Sequence, residues 1–280
     1  PMTREIADAT VKYIKKNYPE KQLAINWFGG EPLLNFEIIK YITAQLKESG
    51  YEIISHITTN GSLLTKEMID YLQREYSDLS FQITIDEIGA KYGEVKRYID
   101  IAKEKAYGRV VQNITQLLDR HITTNVRLNF APSKIERAKE IYVELKKAFE
   151  GHDMSSLYMY FAPLTLDNDN EIISDFHGHI EHPFLQAQFD EGFPLYKPRY
   201  DETVGMVGAF GLMPNAFSCG MTTKNRICID ADGTLYKCHR LSGRKQYACG
   251  TVFDGIDTNN DYYKIFRNPI IEDEECKKCS

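Results

Sequence analysis

Gln22-Leu23-Ala24-Ile25-Asn26-Trp27-Phe28-Gly29-Gly30-Glu31-Pro32-Leu33-Leu34 runs from a strand-like segment straight into two glycines, a carboxylate and a proline. Apolar residues at helical spacing follow, with Ile38, Ile39, Ile42 and Leu46 marking a helix over 36–48. The same strand-to-helix step recurs at intervals of roughly thirty residues, the length of a βα unit. Strands are predicted over 22–28, 52–59, 81–86, 123–130 and 157–162, all rich in Ile, Val, Phe and Thr. Helices are predicted over 36–48, 66–75, 92–118 (broken near Gly108) and 135–149. Repeated βα units give a parallel sheet with right-handed crossovers, so the fold class is α/β. The pattern of elements fits a closed or partly closed barrel as well as a doubly wound sheet.

The bulk properties agree with a globular chain. It has 280 residues, 42% of them apolar, and a net charge of -6. That length suits about two domains and a sizeable core. The acidic balance argues against nucleic acid as a partner, which calls for a basic footprint. No apolar run is long enough to span a bilayer. Residues 1–19 are charged and are expected to form an amphipathic helix rather than a signal peptide, so a cytoplasmic location is expected. The sequence opens on Pro1 and stops at Ser280, one residue after a Cys-x-x-Cys pair, and both ends are read as cuts.

In parallel α/β folds, ligands sit at the carboxyl ends of the strands. The first strand is followed by Gly29-Gly30-Glu31-Pro32 and the second by Thr59-Asn60-Gly61. The third ends Thr84-Ile85-Asp86, and the fourth carries Arg127 and Asn129. Paired glycines let a backbone approach a ligand closely, and Glu31 can accept from an ammonium group. The plainer reading of Gly29–Pro32 alone is a turn in which Glu31 caps the following helix.

Taken together, these elements resemble the radical S-adenosylmethionine (SAM) enzymes. Trp27-Phe28-Gly29-Gly30-Glu31-Pro32 is similar to that family's GGEP element, which binds the amino group of SAM. Thr59-Asn60-Gly61 is similar to its TNG element. Thr84-Ile85-Asp86 resembles its (S/T)-x-D-G segment, and Arg127-Leu128-Asn129 its R-x-N pair, which contacts the SAM carboxylate and ribose. The resemblance covers roughly residues 1–165 and implies a partial (β/α) barrel. It assigns SAM binding to Gly29, Gly30, Glu31, Pro32, Thr59, Asn60, Thr84, Asp86, Arg127 and Asn129. There are two departures. Glu87 stands where the family has glycine. The family's Cys-x-x-x-Cys-x-x-Cys motif, whose thiolates hold the [4Fe–4S] cluster that SAM chelates, is absent from the chain and is expected just upstream of Pro1. The chain by itself is therefore not expected to cleave SAM.

All six cysteines (Cys219, Cys228, Cys238, Cys249, Cys276 and Cys279) lie in the last quarter of the chain. Such clustering points to one local device, and without a secretory signal disulfides are the weakest candidate. Residues 229–238 are predicted to form a hairpin turning at Asp232-Gly233. The order Cys219-x13-Gly233-x4-Cys238, followed later by Cys276-x2-Cys279, resembles the SPASM extension of radical SAM enzymes. That resemblance implies auxiliary [4Fe–4S] clusters, with Cys219 and Cys238 serving one and Cys276 and Cys279 beginning another. Cys228 and Cys249 are expected to be small buried hydrophobes. His239 replaces the aspartate base of sulfatase-maturing relatives and is expected to face solvent. Asp175, His177, His179 and His182 read as a polar loop.

The expected organisation is a barrel over 1–165, a connector over 166–215 and a SPASM-like domain over 216–280. The expected activity of the full-length enzyme is hydrogen abstraction from a peptide or protein substrate, as in ribosomal-peptide maturation. A flavodoxin or ferredoxin would supply electrons, and no nucleic acid or membrane would take part. An anaerobic sulfatase maturase is the alternative within the class. A non-catalytic zinc or iron–sulfur binding module is the alternative outside it.

Overall fold

The computed structural model describes residues 1–95, 102–131, 134–166, 172–174 and 225–265. Two compact units form. One contains Pro1–Leu23, Asn35–Glu52 and the described residues 225–265; the other contains Ala24–Leu34 and the described residues from 53 to 174.

The second unit is built on a sheet whose strand order is the chain order. The strands of that sheet are β1 (Gln22–Trp27), β2 (Glu52–Thr59), β3 (Asp78–Thr84), β4 (Thr123–Phe130), β5 (Leu157–Leu166) and β6 (Ile172–Ser174), of which only the first residues of β1 and β2 fall outside the second unit. Strands β2 to β5 pair in parallel, and β6 returns antiparallel against β5. This order separates the two topologies that the pattern of elements left open. A doubly wound sheet reverses its strand order at a switch point and so covers both faces with helices. A sequential order with right-handed crossovers places every crossover on one face and leaves the other uncovered, as in a barrel.

The side-chain pattern agrees. Parallel strands buried on both faces read as continuous apolar runs. Here they alternate. Ile53 and Ile57 of β2, Leu79, Phe81 and Ile83 of β3, and Val126 and Leu128 of β4 are buried. They meet helices α3 (Lys66–Glu75), α5 (Lys103–Leu118) and α6 (Ile135–Ala148), of which α3 packs on β3 and the other two on β4. Ile69, Leu72, Val110, Ile114, Leu117, Ile141 and Leu145 complete this core. Each such side chain contributes roughly 1.5–3 kcal/mol on burial. The opposite face carries His56, Thr58, Ser80, Gln82, Thr84, Asn125 and Arg127, which the register sets side by side.

Strands β2 and β4 match the expected boundaries. Strand β3 begins earlier and ends at Thr84, so Asp86 lies in the loop beyond it. The long helix expected over 92–118 is two helices, α4 (Gly89–Val95) and α5, and α5 runs straight through Gly108. A mid-helix glycine costs only about 1 kcal/mol, less than the burial of Val110, Ile114 and Leu117 returns.

In the first unit, helix α1 (Arg4–Asn17) starts later than Pro1, because the Thr3 hydroxyl caps it by accepting from the Ile6 N–H at 3.3 Å. Tyr13 of α1 packs with Leu235, Cys249 and Val252. The expected hairpin is present: β7 (Cys228–Ile229) pairs antiparallel with β8 (Leu235–Tyr236). Its turn is held by Gly233 at φ +84°, whose N–H donates to Asp230 O at 2.9 Å. A Cβ on Gly233 would sit 2.9 Å from a Val252 methyl. Lys245 donates to Asp232 and to the Thr234 hydroxyl, and this bonding depresses the Asp232 pKa to about 2.

Two outcomes follow for this unit. Gly233→Ala adds left-handed strain of about 1–2 kcal/mol to a clash worth about as much again. It should lower the midpoint of urea unfolding, whereas Gly243→Ala, where a Cβ would meet no neighbour, should show the strain alone. Because the Asp232 pKa is depressed, its stabilisation is complete above the ordinary carboxylate range and is lost as pH falls towards 2. Asp232→Asn should therefore unfold less steeply than the parent between pH 4 and 2. The difference should stay below about 1 kcal/mol because the pair is half exposed.

Candidate active site at the strand ends

The Glu31 carboxylate joins the first two strand ends. Its Oε1 accepts from the Thr59 hydroxyl at 2.8 Å and from the Leu33 N–H at 3.0 Å. Its Oε2 accepts from the Asn60 N–H at 2.8 Å. The bond from Leu33 is the capping interaction of the plainer sequence reading, since Pro32–Asn35 forms a short 3-10 turn. The two bonds from β2 are tertiary, and they fix the glycine loop against the Thr59-Asn60-Gly61 corner. Among the described residues, no heavy atom lies within 4 Å of where a Cβ would sit on Gly29 or Gly30, so the backbone here borders open space.

The second corner is equally constrained. The Thr59 hydroxyl accepts from the Gly61 N–H at 3.1 Å while donating to Glu31, so its donor is spent within the protein. Asn60 Oδ1 accepts from the Ser62 N–H at 2.9 Å and from the Ser62 hydroxyl at 2.6 Å. Gly61 sits at φ +75°, with Ile83 3.2 Å from where a Cβ would lie, so no other residue fits without strain. Asn113, buried on α5, donates to Gly61 O at 2.7 Å.

The third and fourth strand ends meet in register. Thr84 stands beside Arg127, and the Ile85 N–H continues the ladder to Arg127 O at 2.8 Å. Arg127 Nε donates to Asn129 Oδ1 at 2.8 Å, so these two form a unit on the polar face of the sheet. Asp86 follows two residues beyond Thr84. Glu87 does not stay in open loop. It accepts from Arg137 Nε at 3.3 Å and from Arg137 Nη2, and its Oε1 also accepts from the Ile88 N–H at 3.0 Å. Burial opposes the Glu87 charge, but these bonds outweigh it and hold the carboxyl below the ordinary carboxylate range.

Deeper on the same face are bonds that the sequence reading missed. His56 Nδ1 lies 2.8 Å from Ser80 Oγ, and the Tyr160 hydroxyl donates to Gln82 Oε1 at 2.8 Å. The second bond joins β5 to β3 over the intervening β4, strands roughly 9–10 Å apart. Such a reach fits a face that is concave. The available signal was the polar alternation His56-x-Thr58-x-Asn60 and Ser80-x-Gln82-x-Thr84.

Of the candidate cluster ligands, Cys238 is half-buried just beyond β8, before the 3-10 turn His239–Leu241, while Cys219, Cys276 and Cys279 lie outside the described residues. Cys228 and Cys249 are buried, as expected. Burial pushes the Cys228 thiol up to about 11 and raises Cys249 as well, which disfavours thiolate at either. His239 is exposed. Asp175, His177, His179 and His182 lie outside the described residues. Among the described residues, no group of three or more His, Cys, Asp or Glu is arranged to hold a metal ion, and no helix is long and apolar enough to cross a membrane.

A sequential parallel sheet, with helices on one face and, among the described residues, a polar opposite face and glycine-rich strand ends, defines a partial α/β barrel. Solved structures share this fold. The structure of native anSMEcpe with bound AdoMet and Kp18Cys peptide superposes with a TM-score of 0.63 at 16% identity, over 100% of this chain and 78% of its own. Streptococcus suis SuiB superposes with a TM-score of 0.54 at 12% identity, over 94% of this chain and 59% of its own. In sequence, the chain is 22% identical over 282 residues to the radical SAM cyclopropyl synthase TigE of Paramaledivibacter caminithermalis. That match takes in 96% of this chain and 54% of TigE, so the chain spans about half the length of this curated relative. No protein-family model matches.

Glu31→Ala should leave three donors without their acceptor, at about 1–3 kcal/mol for each one not rehydrated. Thermal unfolding should show a drop of several degrees, and Glu31→Gln, which keeps one acceptor oxygen, should show a smaller one.

Proposed function

We propose that this chain forms the SAM-binding barrel, and part of the auxiliary cluster domain, of a radical SAM enzyme that modifies a peptide or protein. The observation that carries the reading is the Glu31 clamp. It locks a glycine loop bordering open space against the Thr59-Asn60-Gly61 corner, beside a polar concave face bearing Arg127 and Asn129. The relatives support it: TigE is named a cyclopropyl synthase, and SuiB has been solved with its precursor peptide SuiA.

The residues present fit SAM. In this reading the Gly29–Gly30 backbone receives the methionine amino group, and Glu31 holds that loop in place with its remaining acceptor capacity turned to the ammonium. Arg127 pairs with the carboxylate, and Asn129 with the ribose. Thr84 and Asp86 border the same mouth, and Pro32 stiffens the turn behind it. When bound and reductively cleaved, SAM supplies a 5′-deoxyadenosyl radical that takes a hydrogen atom from the substrate. The protein's own part is to orient and to exclude water. The residues present do not supply the Cys-x-x-x-Cys-x-x-Cys thiolates for the cluster that SAM chelates, because no cysteine precedes Cys219. Cys219 and Cys238 would hold one auxiliary cluster, and Cys276 and Cys279 would begin another. A cytoplasmic flavodoxin or ferredoxin is the electron donor in this reading.

The test uses the full-length gene product, reconstituted anaerobically. Iron near twelve atoms per chain would match three [4Fe–4S] clusters, and dithionite with SAM should release 5′-deoxyadenosine. Arg127→Met should weaken SAM binding about tenfold, the loss of one charge-assisted bond. Zinc in place of iron, with no SAM binding, would overturn the reading.

A further inference from the structure

Beyond the residues the radical SAM resemblance assigns, we propose that the Glu87–Arg137 pair is a positioning clamp that sets the loop carrying Asp86 against bound SAM. The inference rests on the function proposed above. It starts from the ladder. Strand β3 ends at Thr84, and the Ile85 N–H makes the last inter-strand bond, to Arg127 O. Asp86, Glu87 and Ile88 then leave the sheet, and α4 begins at Gly89. A loop released from its ladder takes its position from side chains or has none. In radical SAM sequences that this segment resembles, a glycine stands here and offers no side chain.

In this chain Glu87 offers two oxygens, and both are used. Oε1 takes the Ile88 N–H and Arg137 Nη2, and Oε2 takes Arg137 Nε. Arg137 is itself held from the other side, with Nη1 donating to Glu140 at 2.8 Å. It lies in the first turn of α6, the helix that follows β4. The fork therefore ties the tip of β3 to the element leaving β4, the strand of Arg127 and Asn129. The Glu87 side chain is 14% exposed and that of Arg137 34% exposed. The Glu87 carboxylate is largely buried, so removing either partner costs some global stability as well. The pair's effect at the site is geometric, because a displacement of about 1 Å at a reacting site can cost on the order of a hundredfold in rate.

The experiment is a double-mutant cycle on the full-length, cluster-reconstituted protein: parent, Glu87→Gln, Arg137→Met and the double variant. SAM affinity is measured by equilibrium dialysis without reductant, alongside hydrogen exchange of the backbone over 85–91 and thermal unfolding. Each single variant should weaken SAM binding about tenfold and speed exchange over 85–91, with a lowering of the unfolding midpoint that the double variant does not deepen. The double variant should be no worse than either single, because both remove one device. SAM binding within twofold of the parent in both singles overturns the clamp and leaves the proposed function standing. Losses that multiply in the double overturn it too, since the residues would then act separately. A parent that binds no SAM overturns both readings together.

Discussion

The strand-end site depends on one carboxylate. Parallel strands end in loops that no ladder holds, so each corner must be fixed by other bonds. Glu31 fixes two corners at once. It sits on the loop after β1 and takes a hydroxyl and an N–H from the end of β2. Through the Thr59 hydroxyl the constraint passes to the Gly61 N–H, and through Gly61 O to Asn113 of α5. A bare glycine pair would sample many conformations, and ordering a flexible loop on binding costs roughly 1–2 kcal/mol per residue. The clamp meets that cost in folding, so a ligand encounters a loop already set.

The same residue shows why two functional readings of one motif need not compete. As a cap, Glu31 accepts from Leu33, as in any strand-to-helix turn. As a clamp, it bridges elements that are 28 residues apart in sequence. A carboxylate has about four acceptor sites, and three bonds do not exhaust them. Capping and bridging share one group, and an amide in its place would keep only one of its two acceptor oxygens.

Much of this was legible in the sequence where local chemistry decides structure. Strands β2 and β4 and the hairpin around Asp232-Gly233 follow from β-branched runs and a turn dipeptide. The start of β3 was not legible, because Asp78-Leu79-Ser80 alternates polar with apolar and its partners are set only by tertiary pairing. The break between α4 and α5 was placed at Gly108 by propensity, which packing overrode. The choice between barrel and doubly wound sheet depends on strand order, which lies in no local stretch. At the site, the glycine and Asn-Gly corners announced themselves as motifs. The bonds His56–Ser80 and Tyr160–Gln82 did not, because each joins residues on different strands whose register the sequence does not state.

That polar face has a further consequence for how the fold and the chemistry are joined. Lining one side of a parallel sheet with His56, Ser80, Gln82, Asn125 and Tyr160 sacrifices apolar burial on that side, and the core must come from the helix side alone. The loss is limited because the polar groups satisfy one another: Asn125 donates to Phe81 O at 3.3 Å, and Tyr160 is 3% exposed yet bonded. An unpaired group there would cost about 1–3 kcal/mol. A self-satisfied polar floor is stiff, and the Arg127–Asn129 pair stands at the strand ends above it. Stability therefore comes from the helix side, cross-strand stiffness from bonds such as Tyr160–Gln82, and the fixed geometry of the strand-end corners from Glu31 and its partners.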